Sequence, residues 1–285
     1  MINDFEFARP GDVSEALQAL AQSGRVMPVA GGTNVMVNLK RSPLPADLIV
    51  DLSGLRELSS VSVHNERVRM GAGVTFAQLL EWQPGGAIEG LMRPMCAAFA
   101  GPLIRNLATV GGNVCDASAA ADISPPLLAL DAMVELQSAA HGRRTLPLTE
   151  FFQGVRKTAR RPDELLTAIE FPRPAAAERW FYYKLGKRKA DAISIVSIAM
   201  ALRLEQGKVA QARIALGAVA PVAMRTPQAE NLLRGQALDA AAIDAAAAAA
   251  ATESRPIDDF RATGAYRRRM VAALVRRGLH DIAGH

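Results

Sequence analysis

The sequence predicts an α+β fold made of two units. Its 285 residues exceed one minimal domain and suit two, at roughly 100–200 residues per domain. In the first half, segments with strand and helix periodicity alternate, whereas the stretches at 133–147 and 199–216 have the pattern of antiparallel hairpins. Hairpins inside an otherwise alternating chain argue against a purely parallel, doubly wound sheet.

The first unit opens with a short amphipathic helix and a strand. Asp12 and Glu15 fit a capping box, in which Asp12 accepts from early helical amides while Glu15 reaches back to the cap. Apolar residues then recur at helical spacing, and Gly24 suits the C-terminal cap of this helix. A strand is expected at 25–30, and it runs directly into Gly31-Gly32.

Further strands and a second capping box complete the first unit. Strands are expected at 48–52 and 68–70, and Thr75 with Gln78 repeats the capping box ahead of an apolar helix. The hairpin at 133–147 follows later in the chain. This order of elements predicts both helices and a partly antiparallel sheet in the first unit.

The composition changes at Pro172-Arg173-Pro174, and we expect a domain boundary there, between units at 1–174 and 175–285. Beyond it, the hairpin at 199–216 alternates apolar and polar residues. Helices are expected to begin near Thr226-Pro227, Leu238 and Ala265. The second unit is therefore predicted to be a small antiparallel sheet with helices packed on it.

Composition and charge argue against several classes of protein. The formal net charge is +5, but Lys and Arg are dispersed except at 184–189, 267–269 and 276–277, and only 5% of the residues are aromatic. A nucleic-acid-binding surface needs a basic stripe with aromatic side chains, so no nucleic-acid partner is expected. The last two clusters are interpreted as solvated helix faces or subunit contacts. The N-terminus lacks a signal-peptide pattern and no apolar run is long enough for a membrane span, so we expect a cytoplasmic protein.

The two cysteines, Cys96 and Cys115, are too few for a four-thiolate zinc or iron–sulfur site. They also do not form the framework of a disulfide-rich secreted domain. We therefore interpret both as small core residues and expect no metal in this chain.

Two glycine pairs carry the strongest chemical signal, in Ala30-Gly31-Gly32-Thr33-Asn34 and Thr109-Val110-Gly111-Gly112-Asn113. Glycine lets a phosphate approach the backbone and tolerates positive φ, so successive amides can converge on an anion while Thr and Asn add donors. A single Gly-Gly pair is more often a simple turn. Two copies, each flanked by Thr and Asn, favour phosphate binding and a simple turn equally. Neither pair fits the Rossmann or P-loop motif, so a dinucleotide site on another fold is expected.

Residues 99–113, continuing through Asp122 to position 132, resemble the flavin-domain core of the xanthine dehydrogenase and carbon monoxide dehydrogenase medium-subunit family. Residues 30–34 resemble that family's first pyrophosphate loop. Residues 182–193 resemble the segment that opens its C-terminal domain, and residues 266–277 resemble its closing helix. The resemblance implies an FAD-binding domain of the vanillyl-alcohol-oxidase/PCMH type, followed by a C-terminal domain of the CO dehydrogenase flavoprotein type.

The resemblance also implies a noncovalent FAD whose pyrophosphate lies over the two glycine loops. The implied binding residues are Val29, Ala30, Gly31, Gly32, Thr33, Asn34, Phe99, Thr109, Val110, Gly111, Gly112, Asn113, Asp122, Leu166 and Lys184. Asp122 could bond a sugar hydroxyl, and Phe99 and Leu166 could cover a ring surface. Lys184 near the pyrimidine end would favour reduced flavin. The alternatives stay open that Phe99 and Leu166 are core residues and that Asp122 caps the following helix.

The function implied by the resemblance is that of an oxidoreductase subunit that carries electrons and has no catalytic acid or base of its own. Electrons would arrive from two [2Fe-2S] clusters in a small partner subunit and leave FAD for an external acceptor. A large molybdopterin subunit would hold the substrate, in a dimer of heterotrimers. Two alternatives remain, a self-contained flavin reductase on the same fold and a scaffold that has lost flavin. The sequence does not specify the substrate or the acceptor, which could be NAD, oxygen, a quinone or a carrier protein.

Overall fold

The computed structural model describes residues 4–40, 42, 46–188 and 191–284. The strands are β1 (Glu6–Ala8), β2 (Val26–Val29), β3 (Leu48–Asp51), β4 (Val61–His64), β5 (Arg67–Gly71), β6 (Met133–Ser138), β7 (Gly142–Pro147), β8 (Phe152–Gly154), β9 (Lys157–Thr158), β10 (Leu165–Pro172), β11 (Glu178–Gly186), β12 (Ser194–Glu205), β13 (Lys208–Gly217) and β14 (Met224–Arg225). The helices are α1 (Val13–Leu20), α2 (Thr33–Leu39), α3 (Phe76–Glu81), α4 (Gly86–Ala98), α5 (Pro102–Leu107), α6 (Val110–Cys115), α7 (Ser124–Ala129), α8 (Leu148–Phe151), α9 (Pro227–Leu233), α10 (Ala240–Glu253) and α11 (Gly264–Ala283). The predicted α+β class is confirmed.

A small parallel sheet, in the order β1-β3-β2, forms the N-terminal part of the first unit, with α1 packed on it. The side chain of Asp12 accepts from the amide of Glu15 at 2.8 Å, as predicted. The Glu15 carboxylate accepts from Gly11 at 2.7 Å, one residue further back than a capping box requires. The predicted cap at Gly24 was wrong, because α1 already ends at Leu20, its last buried apolar residue. Gly24 lies in the following turn with a φ of +104°.

An antiparallel sheet, in the order β4-β5-β10-β6-β7, carries the main core of the first unit. The capping box ahead of α3 is confirmed: the amide of Gln78 donates to Thr75 Oγ1 at 3.2 Å, and the amide of Thr75 donates to Gln78 Oε1 at 2.8 Å. The hairpin of β6 and β7 is also confirmed. The central strand, β10, has a register irregularity between Leu166 and Ala168, at the wall of the cavity described below.

The second unit is an antiparallel sheet in the order β11-β12-β13-β14, with α9, α10 and α11 on one face. The hairpin of β12 and β13 is confirmed, as is the start of α9 at Pro227. Small and large side chains alternate along β12. Ala199 and Ala201 join the core of the first unit, whereas Met200 and Leu202 pack with the helices of the second. The alanine face lets α7 of the first unit pack directly against β12 and β13.

The last long helix, α11, is only partly a solvated face. Arg268 and Arg269 are exposed, but Arg267 is buried and donates to the carbonyl of Ala218 at 2.7 Å and to the Asp259 carboxylate at 2.5 Å. The interpretation of residues 267–269 as a surface cluster was therefore wrong for Arg267, whose charge holds the loop before α11. Within the described ranges, every helix is too short or too polar to pass through a bilayer.

Candidate functional site

A cavity of about 620 Å³ lies in the first unit, where β2, α2, α6 and β10 meet. Most of the predicted binding residues line it: Val29, Ala30, Gly31, Gly32, Thr33, Asn34, Phe99, Thr109, Gly111, Gly112, Asn113 and Leu166. The two glycine loops are about 80 residues apart in the chain, yet both open onto this single cavity. Val110, Asp122 and Lys184 do not line it.

The first glycine loop connects β2 to α2. Gly32 has a φ of +66°, which favours glycine. A Cβ on Gly31 would lie 1.7 Å from the carbonyl oxygen of Leu107, so this loop packs tightly against the segment that leads to the second loop. The amides of Thr33 and Asn34, in the first turn of α2, donate to no backbone carbonyl among the described residues. They are therefore available to an anion in the cavity.

The second loop differs from the predicted anion nest, because its amides already have partners. The amide of Val110 donates to Val74 at 2.9 Å, that of Gly111 to Ala72 at 2.8 Å, and that of Gly112 to Thr109 Oγ1 at 3.1 Å. Both glycines lie within α6, without the positive φ that would itself demand glycine. A Cβ on Gly111 would lie 2.6 Å from Ala72 Cβ, so close packing explains this glycine. Val110 is fully buried and is not among the residues that line the cavity.

Asn113 brings an unsatisfied polar atom to the cavity. Its side-chain oxygen is buried and has no hydrogen-bond partner among the described residues. Leaving a buried polar group without a partner costs about 1–3 kcal/mol. A ligand with a hydroxyl or amide group would supply the missing partner, so this site fits a polar ligand that reaches between the loops.

Phe99 lies on the cavity wall and stacks on Phe76 behind it, with ring centroids 3.8 Å apart and planes inclined by 14°. Leu166 lines the cavity beside the irregularity of β10. Both side chains also pack with the main core, so the two readings, core residue and ring-covering residue, are compatible. The cavity therefore has an aromatic and aliphatic wall suited to a flat ring.

Asp122 and Lys184 form a buried ion pair behind this wall, with side chains 8% and 6% exposed. Lys184 Nζ donates to Asp122 Oδ2 at 2.7 Å, and Ser194 Oγ donates to the other carboxylate oxygen at 2.7 Å. Burial raises the pKa of Asp122, although the charge of Lys184 opposes the shift. The alternative that Asp122 caps α7 was wrong, because Ile123 is the cap residue and no side chain bonds there. The pair instead joins the second unit, through β11, to the first.

Sequence analysis missed the charged residues of the cavity, Asp116, Arg156 and Arg160. Arg156 donates to the Asp116 carboxylate at 2.7 Å. Arg160 donates to backbone carbonyls, including that of Glu164 at 2.6 Å, and pairs with no described carboxylate. Arg156 lies in the turn between β8 and β9, and Arg160 follows β9. No local motif indicates that this hairpin borders the glycine loops. Several apolar lining residues were missed for the same reason: Met27, Val35, Val37, Leu52, Leu58, Ala72, Ile104 and Leu165.

The two cysteines have different environments. Cys96 is buried in the main core, as predicted, whereas Cys115 is half-buried: it packs against that core and also lines the cavity. Burial raises the pKa of the Cys115 thiol to about 11, although Arg160 nearby opposes the shift. No group of three His, Cys, Asp or Glu side chains that could hold a metal ion occurs among the described residues.

Cys115 is expected to react with iodoacetamide in a strongly pH-dependent way. Because the thiolate is the reactive form, the rate should rise about tenfold per pH unit between pH 7 and 10. A dinucleotide that fills the cavity should slow the reaction. The rate is measured by mass spectrometry, with Cys115→Ser as the control that leaves only Cys96. Rapid labelling at pH 7 with little change at higher pH would contradict the buried environment of this thiol.

Comparison with known proteins gives matches to both units. Residues 3–174 match the family described as FAD binding domain in molybdopterin dehydrogenase, and residues 181–282 match the CO dehydrogenase flavoprotein C-terminal domain. The xanthine dehydrogenase FAD-binding subunit of Escherichia coli O157:H7 is 30% identical over 285 residues, covering 97% of this chain and 96% of the relative. The nicotinate dehydrogenase FAD-subunit of Eubacterium barkeri is 34% identical over 246 residues, covering 83% and 82%. In the structure of reconstituted CO dehydrogenase from Oligotropha carboxidovorans, one chain superimposes with a TM-score of 0.94 at 28% identity, covering 100% of this chain and 99% of that one.

Proposed function

Because this chain belongs to the FAD-binding, medium-subunit family of the molybdopterin dehydrogenases, we propose that it passes electrons from a partner subunit, through FAD held in the cavity, to an external acceptor. The observation that carries the proposal is that both glycine loops line one cavity, together with Asn113, whose buried side-chain oxygen has no hydrogen-bond partner among the described residues. When bound, FAD supplies the capacity to take up and release two electrons. The chain itself supplies binding, orientation and charge.

The residues present fit this cofactor. The amides of Thr33 and Asn34 would hold the pyrophosphate, because both lie in the first turn of α2 and donate to no backbone carbonyl among the described residues. The Asn113 side chain would bond a polar group of the cofactor, and Phe99 would cover a flat ring. Neither Asp122 nor Lys184 lines the cavity, so both would affect the cofactor indirectly. Lys184 donates to the carbonyl of Ala98, the last residue of α4, which precedes Phe99.

The chemistry of the cavity favours electron transfer over substrate reduction by this chain alone. A self-contained reductase needs a proton donor beside its flavin. No His, Glu, Ser or Tyr is among the described residues that line the cavity. The carboxylate of Asp116 is bonded to Arg156, and the pKa of the Cys115 thiol is about 11. These groups bind and orient, and none is placed to deliver protons during turnover.

We expect the purified chain to bind FAD in about a one-to-one ratio and to reject FMN, which lacks the pyrophosphate and adenosine that would occupy the space between the two loops. The cofactor is extracted and identified by chromatography, and affinity is measured by flavin fluorescence. The control is Arg143→Ala, a change on an exposed side chain of β7 away from the cavity. Recovery of FMN alone, or a colourless chain that ignores added FAD, would reject the proposed function.

The proposed partners are a small subunit with two [2Fe-2S] clusters and a large molybdopterin subunit, in a dimer of heterotrimers. Support comes from the relatives named as FAD subunits and medium chains of dehydrogenases. Two basic surfaces are the candidate contacts. In the basic stretch at 184–189, Lys187 and Arg188 are exposed, whereas Lys184 is a buried residue of β11 and cannot belong to a surface. Lys189 lies outside the described residues. The second surface is the exposed side of α11, with Arg268 and Arg269.

We expect the tagged chain, expressed in its native host, to co-purify with an iron–sulfur protein and a molybdenum protein. Charge reversal by Arg268→Glu with Arg269→Glu should reduce this recovery, because exposed charges at an interface set its complementarity. The matched control is Arg143→Glu, on β7. Bound iron and molybdenum are measured in each preparation. A chain that emerges alone, and alone turns over an organic substrate at ordinary rates of roughly 1–1000 per second, would replace the subunit proposal by the self-contained reductase.

A further inference from the structure

Three consecutive backbone carbonyls, at residues 98–100, are each held by a cationic side chain. Lys184 Nζ donates to the carbonyl of Ala98 at 2.9 Å. One nitrogen of the Arg105 guanidinium donates to the carbonyl of Phe99 at 2.8 Å and to that of Ala100 at 2.7 Å. The two cations come from different units of the fold, β11 and α5, and meet at the segment that carries Phe99.

This segment has a conformation that its sequence alone would not hold. Ala100 has a φ of +37°, in a region that side chains other than glycine rarely adopt. Such a residue persists only when its surroundings over-determine it, and such strain concentrates at functional sites. The charge-assisted bonds from Arg105 to the carbonyls of Phe99 and Ala100, which flank the Ala100 Cα, provide that constraint.

Arg105 has no other evident role in the fold. Among the described residues it forms no ion pair with a carboxylate, and its guanidinium donates to the carbonyls of residues 99 and 100. Because the carbonyl groups that it binds are neutral, they do not cancel the positive charge of the Arg105 guanidinium.

We propose that Arg105 is a positioning residue, which with Lys184 fixes the Phe99–Ala100 peptide so that the Phe99 ring is held against the flavin. The inference rests on the proposed function, since it requires FAD in the cavity. The path is short: Arg105 holds the carbonyl of Phe99, the Phe99 ring stacks on Phe76, and Phe99 lines the cavity. Arg105 itself does not line the cavity, so it acts through Phe99.

The test compares FAD binding and the visible circular dichroism of the bound flavin in the full chain and its variants. Arg105→Met should weaken FAD binding about tenfold, as expected for loss of charge-assisted bonds, and should change the flavin dichroism. Arg105→Lys keeps the charge but loses the planar fork, so it should restore part of the affinity. The control is Arg93→Met, on the exposed side of α4, where Arg93 bonds Glu89 at 3.2 Å; flavin properties should not change.

A double-mutant comparison separates positioning from general destabilisation. In a Phe99→Leu background, Arg105→Met should cause little further change in the dichroism, because the ring through which Arg105 acts is gone. Far-ultraviolet dichroism of each apo variant checks folding. Unchanged flavin spectra in Arg105→Met, or effects that simply add to those of Phe99→Leu, would contradict the positioning role of Arg105. Neither result would contradict the proposal that the cavity binds FAD. A wild-type chain that takes up no FAD would instead overturn the proposed function itself.

Discussion

Gly31→Val is expected to abolish measurable FAD binding, with at least about a hundredfold loss of affinity. A Cβ at this position would lie 1.7 Å from the carbonyl oxygen of Leu107 and 2.4 Å from its carbon. Both atoms belong to the backbone, so the first glycine loop must move away from the segment that leads to the second. That movement separates the amides of Thr33 and Asn34 from Asn113 across the cavity. Overpacking of this kind also destabilises a fold by about 1–3 kcal/mol.

The effect should be graded among the glycines of the two loops. At Gly111 a Cβ meets the Ala72 backbone oxygen at 2.8 Å, whereas at Gly112 it meets only the Thr109 hydroxyl, at 2.9 Å. Because the Thr109 side chain can change rotamer, at the cost of the bond it accepts from the Gly112 amide, Gly112→Val should retain the most FAD. The control is Gly54→Val, in the turn after β3, where the nearest atom is Arg9 Nε at 3.9 Å. FAD affinity and urea unfolding are measured together, and normal affinity in Gly31→Val would contradict the assignment of this loop.

Lys184→Met is expected to lower the free energy of unfolding by about 3–5 kcal/mol, because it leaves the buried Asp122 carboxylate without its cation. Burial already raises the pKa of Asp122, and without Lys184 that pKa should rise further. A raised carboxyl pKa in the folded state means that folding favours the protonated form. The loss of stability in Lys184→Met should therefore be smallest at acid pH, and it should grow as the pH rises through the folded-state pKa of Asp122.

Urea unfolding at several pH values between 4 and 8 measures this dependence. In the double variant with Asp122→Asn, the two costs should not add, because no unpaired charge remains. The matched control is Arg276→Met. Arg276 bonds Asp244 at 2.6 Å with side chains 46% and 61% exposed, so its loss should cost at most about 1 kcal/mol. Equal effects of the two substitutions, without pH dependence, would show that the Lys184–Asp122 pair is not buried as described.

Local patterns predicted the local structure well. The capping box of Thr75 and Gln78, the two hairpins and the start of α9 depend on residues close in sequence, so their physics is present in a short window. The error at Gly24 shows the limit, because a permissive glycine marks a turn without saying which residue ends the helix. No pattern identified β10 as the central strand of the larger sheet, because its partners, β5 and β6, are distant in the chain.

The part of the site that could be predicted from the sequence is the part formed by glycines, because a glycine pair marks a place where the backbone itself can approach a ligand. The glycine loops were recognised as cavity residues, but their roles differ: the first offers free amides, whereas the second serves close packing. Arg105 and Arg160 had no signal, because an arginine that binds backbone carbonyls resembles any surface arginine in the sequence. The resemblance supplied the positions of Asp122 and Lys184 but not their pairing with each other.

The alanine face of β12 has a consequence for how the molecule can move. Ala199 and Ala201 complete the core of the first unit, and α7 packs directly on this sheet. A hinge between the units would have to pull these side chains into water, with the loss of apolar contact that this entails. The composition changes in the segment at 172–177, but this segment is therefore not a hinge between the two units.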